Sequence, residues 1–206
     1  MPKPIASPQP RTNRERTEAT RLALIDAARA LFVSKGYGET STPEIAVAAG
    51  ITRGALYHHF ADKRDLFRQV LVREAETVAA DIEAATPRQL TPREALLQGS
   101  KAYLDAMAAP GRTRLLLIEG PAVLGLEESM AIDAATSANS LREGLENARL
   151  GRGEVSLDAL ARLLSAAFDR AALEIDAGAN AHEIHSAMRW LLEQALAPEP
   201  RRKSAG

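Results

Sequence analysis

The sequence predicts an all-α protein, and three observations carry that reading. Apolar residues recur at helical spacing nearly everywhere between the proline and glycine breaks. No segment sustains the period-2 alternation and β-branched enrichment of a strand. Aromatic residues are only 4% of the 206 while 46% are hydrophobic, so the core must be built from Ala, Leu, Ile and Val, residues that suit packed helices. With 26% charged residues the balance is that of a globular chain rather than a disordered one.

Taken in order, the elements number about nine. Four of the 11 prolines lie in the first ten residues and two at positions 198 and 200, so residues 1–16 read as a flexible basic arm and 198–206 as a tail. The first helix runs from about Thr17 to Ser34. Leu24, Ile25, Ala28, Leu31 and Phe32 form its buried stripe, and Gly36 supplies its stop. The next helix starts at Ser41 or Thr42. Ser41 with Glu44 fits a capping box; Thr42 with Pro43 fits an N-cap followed by proline; the spacing leaves both open. This helix ends at Gly50, and Thr52 can cap a third short helix over Arg53–Phe60. A long helix follows from Asp62 or Lys63 to about Ala85. Later helices are expected at 93–109, 112–119, 126–149, 156–177 and 181–196, with breaks at Gly120-Pro121 and at Gly151 and Gly153.

Two short helices joined by a glycine turn, after a longer helix, make a helix-turn-helix pattern, whose second helix is the usual reader of the major groove. Ile45, Ala46 and Ala49 offer a small apolar face, and Ala55 and Leu56 turn the third helix inward. Arg53, Gly54, Tyr57 and His58 are left near the outer face, with Thr52 just ahead of them. Arg, Tyr and His can donate to phosphates or base edges, and Gly54 lets DNA approach the backbone. Lys63 can meet a phosphate at the start of the long helix. Phe60 reads as core, and Tyr57 as DNA-facing, since a buried hydroxyl needs a partner. Charge agrees: residues 1–64 carry 10 Lys and Arg against 6 Asp and Glu, the remainder 16 against 21.

The run from Ser41 to Phe67, with Ala27-Ala28-Arg29-Ala30-Leu31-Phe32 and Gly36-Tyr37 before it, resembles the DNA-binding domain of the TetR family of bacterial transcriptional repressors. The resemblance covers roughly residues 17–70. It implies a helix-turn-helix DNA-binding domain at 17–63 and a helical ligand-sensing and dimerisation domain at 64–197. It also implies a homodimer on a palindromic operator in double-stranded DNA, released by a small molecule. By position, it makes Thr42 and Lys63 phosphate contacts and places Arg53, Gly54, Tyr57 and His58 on the recognition helix. Pro43 departs from the pattern by removing one N–H that can bind phosphate.

The body is less legible. Stripes at Leu160, Leu163, Leu164, Ala167, Phe168, Ala171 and Ile175, and at Ile184, Ala187, Met188, Leu191, Leu192 and Ala195, suit either an internal core or a four-helix dimer interface. The resemblance favours the interface, built from Leu160, Leu164, Phe168, Ile184, Met188 and Leu191, with Trp190 at its margin. Tyr103, Met107, Leu116 and Leu117 are expected to line an effector pocket of low polarity, which tilts the expected ligand toward an apolar or aromatic molecule.

Other chemistries find no footing. There is no cysteine, hence no disulfide framework or thiolate metal site. No nucleophile motif, Gly-rich phosphate loop or HExxH is present, so no enzyme and no cofactor are expected. His58 and His59 point about 100° apart on a helix, and His182 and His185 lack a third ligand, so no metal is expected. No apolar run spans a membrane and no signal peptide is visible, so a cytoplasmic protein without membrane partners is expected. Two alternatives stand beside the ligand-responsive repressor: a DNA-binding oligomer with no small-molecule ligand, and a helical protein-interaction module.

Overall fold

The computed structural model describes residues 12–148 and 155–196. Among them are ten α-helices, one π-helical segment and no strand. Two compact units divide the chain, residues 1–70 and 71–206.

In the first unit, α1 spans Asn13–Glu39. It begins before the expected Thr17 because Thr12 and Glu15 close a reciprocal capping box. Arg14 and Arg16 are therefore helical, and the expected arm shrinks to residues outside the described ones. Gly36 ends the regular helix as expected, at φ 82°, a conformation that favours glycine. α2 (Thr42–Ala48) and α3 (Arg53–His59) are joined through Gly50 at φ 67°. Leu24, Ile25, Ala28 and Phe32 of α1 are buried, as are Ile45, Ala46 and Leu56 from the short helices. α4 (Lys63–Ala85) contributes Leu66 and Phe67. Phe67 stacks edge-on against Phe32 at 5.1 Å and Tyr37 at 4.9 Å. That packing draws the first turns of α4 into this unit, which runs to residue 70.

The second unit holds the rest of α4, then α5 (Pro92–Met107), the π-segment Arg114–Glu119, α6 (Gly120–Leu124), α7 (Leu126–Ala134), α8 (Ser137–Asn147), α9 (Leu157–Asp176) and α10 (Ala181–Ala195). Two expectations need correction. The chain does not break at Gly120-Pro121. Pro121 has no N–H and its ring crowds the carbonyl four residues back, so the ladder widens and the Gly120 N–H reaches Leu115 O. The break comes instead at Gly125, φ 89°. The single helix expected over 126–149 is two: the backbone leaves helical geometry at Thr136, whose N–H bonds Asp133 O at 2.9 Å and whose hydroxyl bonds back to Ile132 O at 3.0 Å. The expected stop at Gly151 and Gly153 and the tail at 198–206 lie outside the described residues. The core joins Val78 of α4, Leu96, Leu104 and Met107 of α5, Leu145 of α8, Leu164 and Phe168 of α9, and Met188 and Leu192 of α10.

Candidate functional site

The first candidate surface starts from a cap. Ser41, not Thr42, is the N-cap of α2: its hydroxyl accepts from Glu44 N, and the Glu44 carboxylate accepts from Ser41 N at 3.0 Å. Lys35 bonds the same carboxylate at 2.7 Å. Lys35 first, then Ser41, hold the Glu44 carboxyl down at about 2. With the cap taken by Ser41, the Thr42 side chain shares a hydrogen bond with the Tyr57 hydroxyl at 3.0 Å, tying the start of α2 to α3. The Arg53 guanidinium lies 5.7 Å from the Tyr57 ring centre. Thr42 and then Arg53 lower the Tyr57 phenol from its ordinary value.

Thr52, Arg53, Gly54, Tyr57 and His58 are all exposed, and Thr42 is half-exposed beside them. The Thr52 hydroxyl accepts from Ala55 N at 3.2 Å and so caps α3. A Cβ on Gly54 would meet nothing within 4 Å. Phe60, expected in the core, is 2% exposed. Val47, 81% exposed on α2, is an apolar side chain on this unit's surface that the spacing argument did not single out. Lys63 is differently engaged: its ammonium donates to Tyr37 O and Thr40 O, both at 2.9 Å, and lies 4.1 Å from the Tyr37 ring centre. It clasps the exit of α1.

On the second unit the six expected interface residues separate. Leu164, Phe168 and Met188 are buried in the chain's own core, and Leu160 and Ile184 pack partly buried against it. Of the six only Leu191 is exposed. Helical spacing marks the apolar side of a helix but not which chain covers it; here α9 and α10 spend that side on α5, on α8 and on each other. The large apolar side chains left outside on these two helices are Leu163 (71%), Trp190 (59%) and Leu191 (41%).

The four residues expected around a pocket separate as well. A cleft of about 700 Å³ lies among α4, α5, α7, α8 and α9, and of the four expected residues only Tyr103 lines it. Met107 is 2% exposed in the core, and Leu116 and Leu117, on the π-segment, pack against that core. The lining is not of low polarity: Glu76, Glu83, Asp133, Asn139 and Glu143 face it beside Ile82, Leu96 and Phe168. Tyr103 donates its hydroxyl proton to Asp169 at 2.7 Å and meets Phe168 edge-on at 5.7 Å. Burial, then the Asp169 charge, raise the Tyr103 phenol; burial raises the Asp169 carboxyl to about 6 against the pull of the Tyr103 hydrogen bond. Acidic residues at a seven-residue step, such as Glu76 and Glu83, were a signal available in the sequence. They read equally well as a solvated helix face. Among the described residues no group of three His, Asp or Glu can hold a metal ion, and no helix is long and apolar enough to cross a membrane.

A helix-turn-helix unit followed by a helical body defines a class of regulatory proteins, and comparison with known proteins fixes the family. Residues 24–70 match the family model of bacterial regulatory proteins, tetR family, and residues 93–198 match the Tetracyclin repressor-like C-terminal domain. The chain belongs to the TetR family. The HTH-type transcriptional regulator AcrR of Shigella flexneri is 47% identical over 60 residues, 29% of this chain and 28% of that protein. The HTH-type transcriptional repressor BepR of Brucella suis is 44% identical over 63 residues, 31% of this chain and 30% of that one. The chain thus aligns with less than a third of the length of these curated relatives. A TetR-family transcriptional regulator from Pectobacterium atrosepticum matches more broadly, with TM-score 0.69 and 28% identity over 93% of this chain and 100% of the other.

Proposed function

We propose that this protein is a DNA-binding transcriptional repressor that acts as a homodimer on a palindromic operator and is released by a small molecule. The observation that carries the DNA-binding half is the exposed set of Thr42, Arg53, Gly54, Tyr57 and His58, with Gly54 at its centre. Among the described residues nothing occupies the space of a Gly54 side chain, and Ala is the better helix former by about 1 kcal/mol. A glycine that the fold does not require is explained by something outside the fold that must approach the backbone. Arg53 and Tyr57, which already touch each other, offer donors beside that opening.

Two copies of the chain on one duplex need recognition helices about 34–36 Å apart, one DNA turn. The apolar side chains left outside on α9 and α10 support self-association as the means. The cleft supports the ligand. One of its walls is the second half of α4, a helix that runs unbroken back to Lys63. A ligand that favours the released state lowers operator affinity by its coupling energy, roughly 1–3 kcal/mol or 5–150-fold, and the operator weakens the ligand by the same factor.

Selection of bound sequences from random DNA tests the reading: a palindrome emerges, and Gly54→Ala loses binding to it while its melting temperature holds or rises. Binding with no sequence preference, or an Ala variant that binds as well as the parent, defeats the assignment.

A further inference from the structure

Resting on that ligand-responsive reading, we propose that the effector is an organic cation with an aromatic or apolar body. Four carboxylate residues line the cleft, from three different helices: Glu76 and Glu83 of α4, Asp133 of α7 and Glu143 of α8. The described lining contains no Lys, Arg or His. An anion entering here meets carboxylates on three helices and no cationic side chain among the described lining, a field that added salt screens. Glu143 accepts a hydrogen bond from the Asn139 amide at 2.9 Å, a neutral partner that leaves its charge in place. Arg142, its neighbour in sequence, is drawn instead to Asp158 at 2.9 Å and Glu146 at 3.3 Å.

The same carboxylates do not converge. No three of the described acidic or histidine side chains gather closely enough to hold a metal ion. A diffuse negative field around a cleft of about 700 Å³ suits a large, delocalised charge rather than a bare ion. Ile82, Leu96, Tyr103, Leu141 and Phe168 supply the apolar and aromatic part of the wall, and an aromatic side chain attracts cations through the negative face of its ring. A neighbouring cleft beside Lys101, Asp105, His185 and Arg189 carries both signs and has no such selectivity.

The test uses three probes of similar shape on the full chain by calorimetry: tetraphenylphosphonium, tetraphenylborate and neutral triphenylphosphine oxide. The cation is expected to bind one per chain, roughly tenfold or more tighter than either of the others, and added salt weakens the cation alone. Glu76 and Glu143 are exposed, so the isosteric double variant Glu76→Gln/Glu143→Gln is expected to keep its melting temperature and lose about tenfold in cation affinity. The neutral probe is expected to be unaffected. Equal binding of all three probes overturns the cationic class while leaving the cleft as an effector site. No binding by any probe overturns both. A double variant that holds the cation as tightly as the parent overturns the role of these carboxylates, and the parent's probe preference stands as a test even if that variant does not fold.

Discussion

Lys63 shows a side chain expected at DNA already engaged by the fold. Its ammonium closes on two carbonyls at the exit of α1. Hydrogen bonds from a charged donor contribute about 1.5–3 kcal/mol, so Lys63→Ala is expected to lower the stability of the first unit by an amount in that range. If the same ammonium also neutralises a phosphate, the salt slope of DNA binding falls by about one; urea unfolding and a salt titration separate the two effects. Asp169 makes a second prediction at this scale. Its carboxyl titrates at about 6 in the fold against an ordinary value of 3.8. The native state thus holds the proton more tightly than the unfolded chain. The stabilising contribution is fully present below the unfolded value and is lost as pH rises through 6. Relative to Asp169→Asn, which keeps an acceptor for Tyr103, the parent is expected to lose about 2–3 kcal/mol between pH 4 and 7. Parallel stability curves for the two proteins would remove burial as the cause.

Among the elements, the turn from α5 to the π-segment is held by buried charge. Arg112 bonds Glu74 of α4 at 2.9 Å and Ala106 O at 2.6 Å, and Thr113 bonds Met107 O at 2.9 Å. Both charged side chains are nearly out of solvent, 9% and 7% exposed. Removing one partner leaves the other charge buried, so Arg112→Met is expected to destabilise the protein by about 3–5 kcal/mol. The double variant Glu74→Leu/Arg112→Met is expected to recover a large part of that loss, since a well-packed apolar pair replaces a desolvated ion pair at little net cost. Denaturant midpoints of the parent, the single variant and the double variant decide it. Gly120, just past the π-segment, is small for a packing reason: a Cβ there would stand 3.1 Å from Leu71 of α4 and 3.2 Å from Leu115 O.

For the whole molecule, association is the property most open to test. Leu164 lies inside the chain, so Leu164→Ala is expected to cost about 2–5 kcal/mol of folding stability. Leu163 and Trp190 lie outside, so Leu163→Glu with Trp190→Glu is expected to leave the fold intact and yield monomers with weakened operator binding. Sedimentation and melting temperature together distinguish the cases. A dimer that survives the double charge places the interface elsewhere.

Local rules in the sequence determined most of what is local. Helical spacing, the Thr52 cap, Gly36 and Gly50 placed α1 to α4, and the order Arg53, Gly54, Tyr57, His58 marked an outer face because a two-turn helix can bury only one side. The Thr12-x-x-Glu15 box is equally local, and it starts α1 earlier than the spacing of apolar residues alone suggests. Ser41 and Thr42 competed for one cap; Ser41 holds it through its reciprocal box with Glu44, and the Thr42 hydroxyl is left to Tyr57, fifteen residues away. Farther along, local rules lose their hold. An apolar stripe on α9 or α10 is the same stripe whether it meets its own chain or a copy, and only the packed structure assigned Phe168 and Met188 inward and Leu163 and Trp190 outward. The cleft was invisible for the same reason. Its carboxylates come from α4, α7 and α8, which sequence spacing reads as separate solvated faces, and they acquire a common field only when tertiary contacts bring those faces around one space.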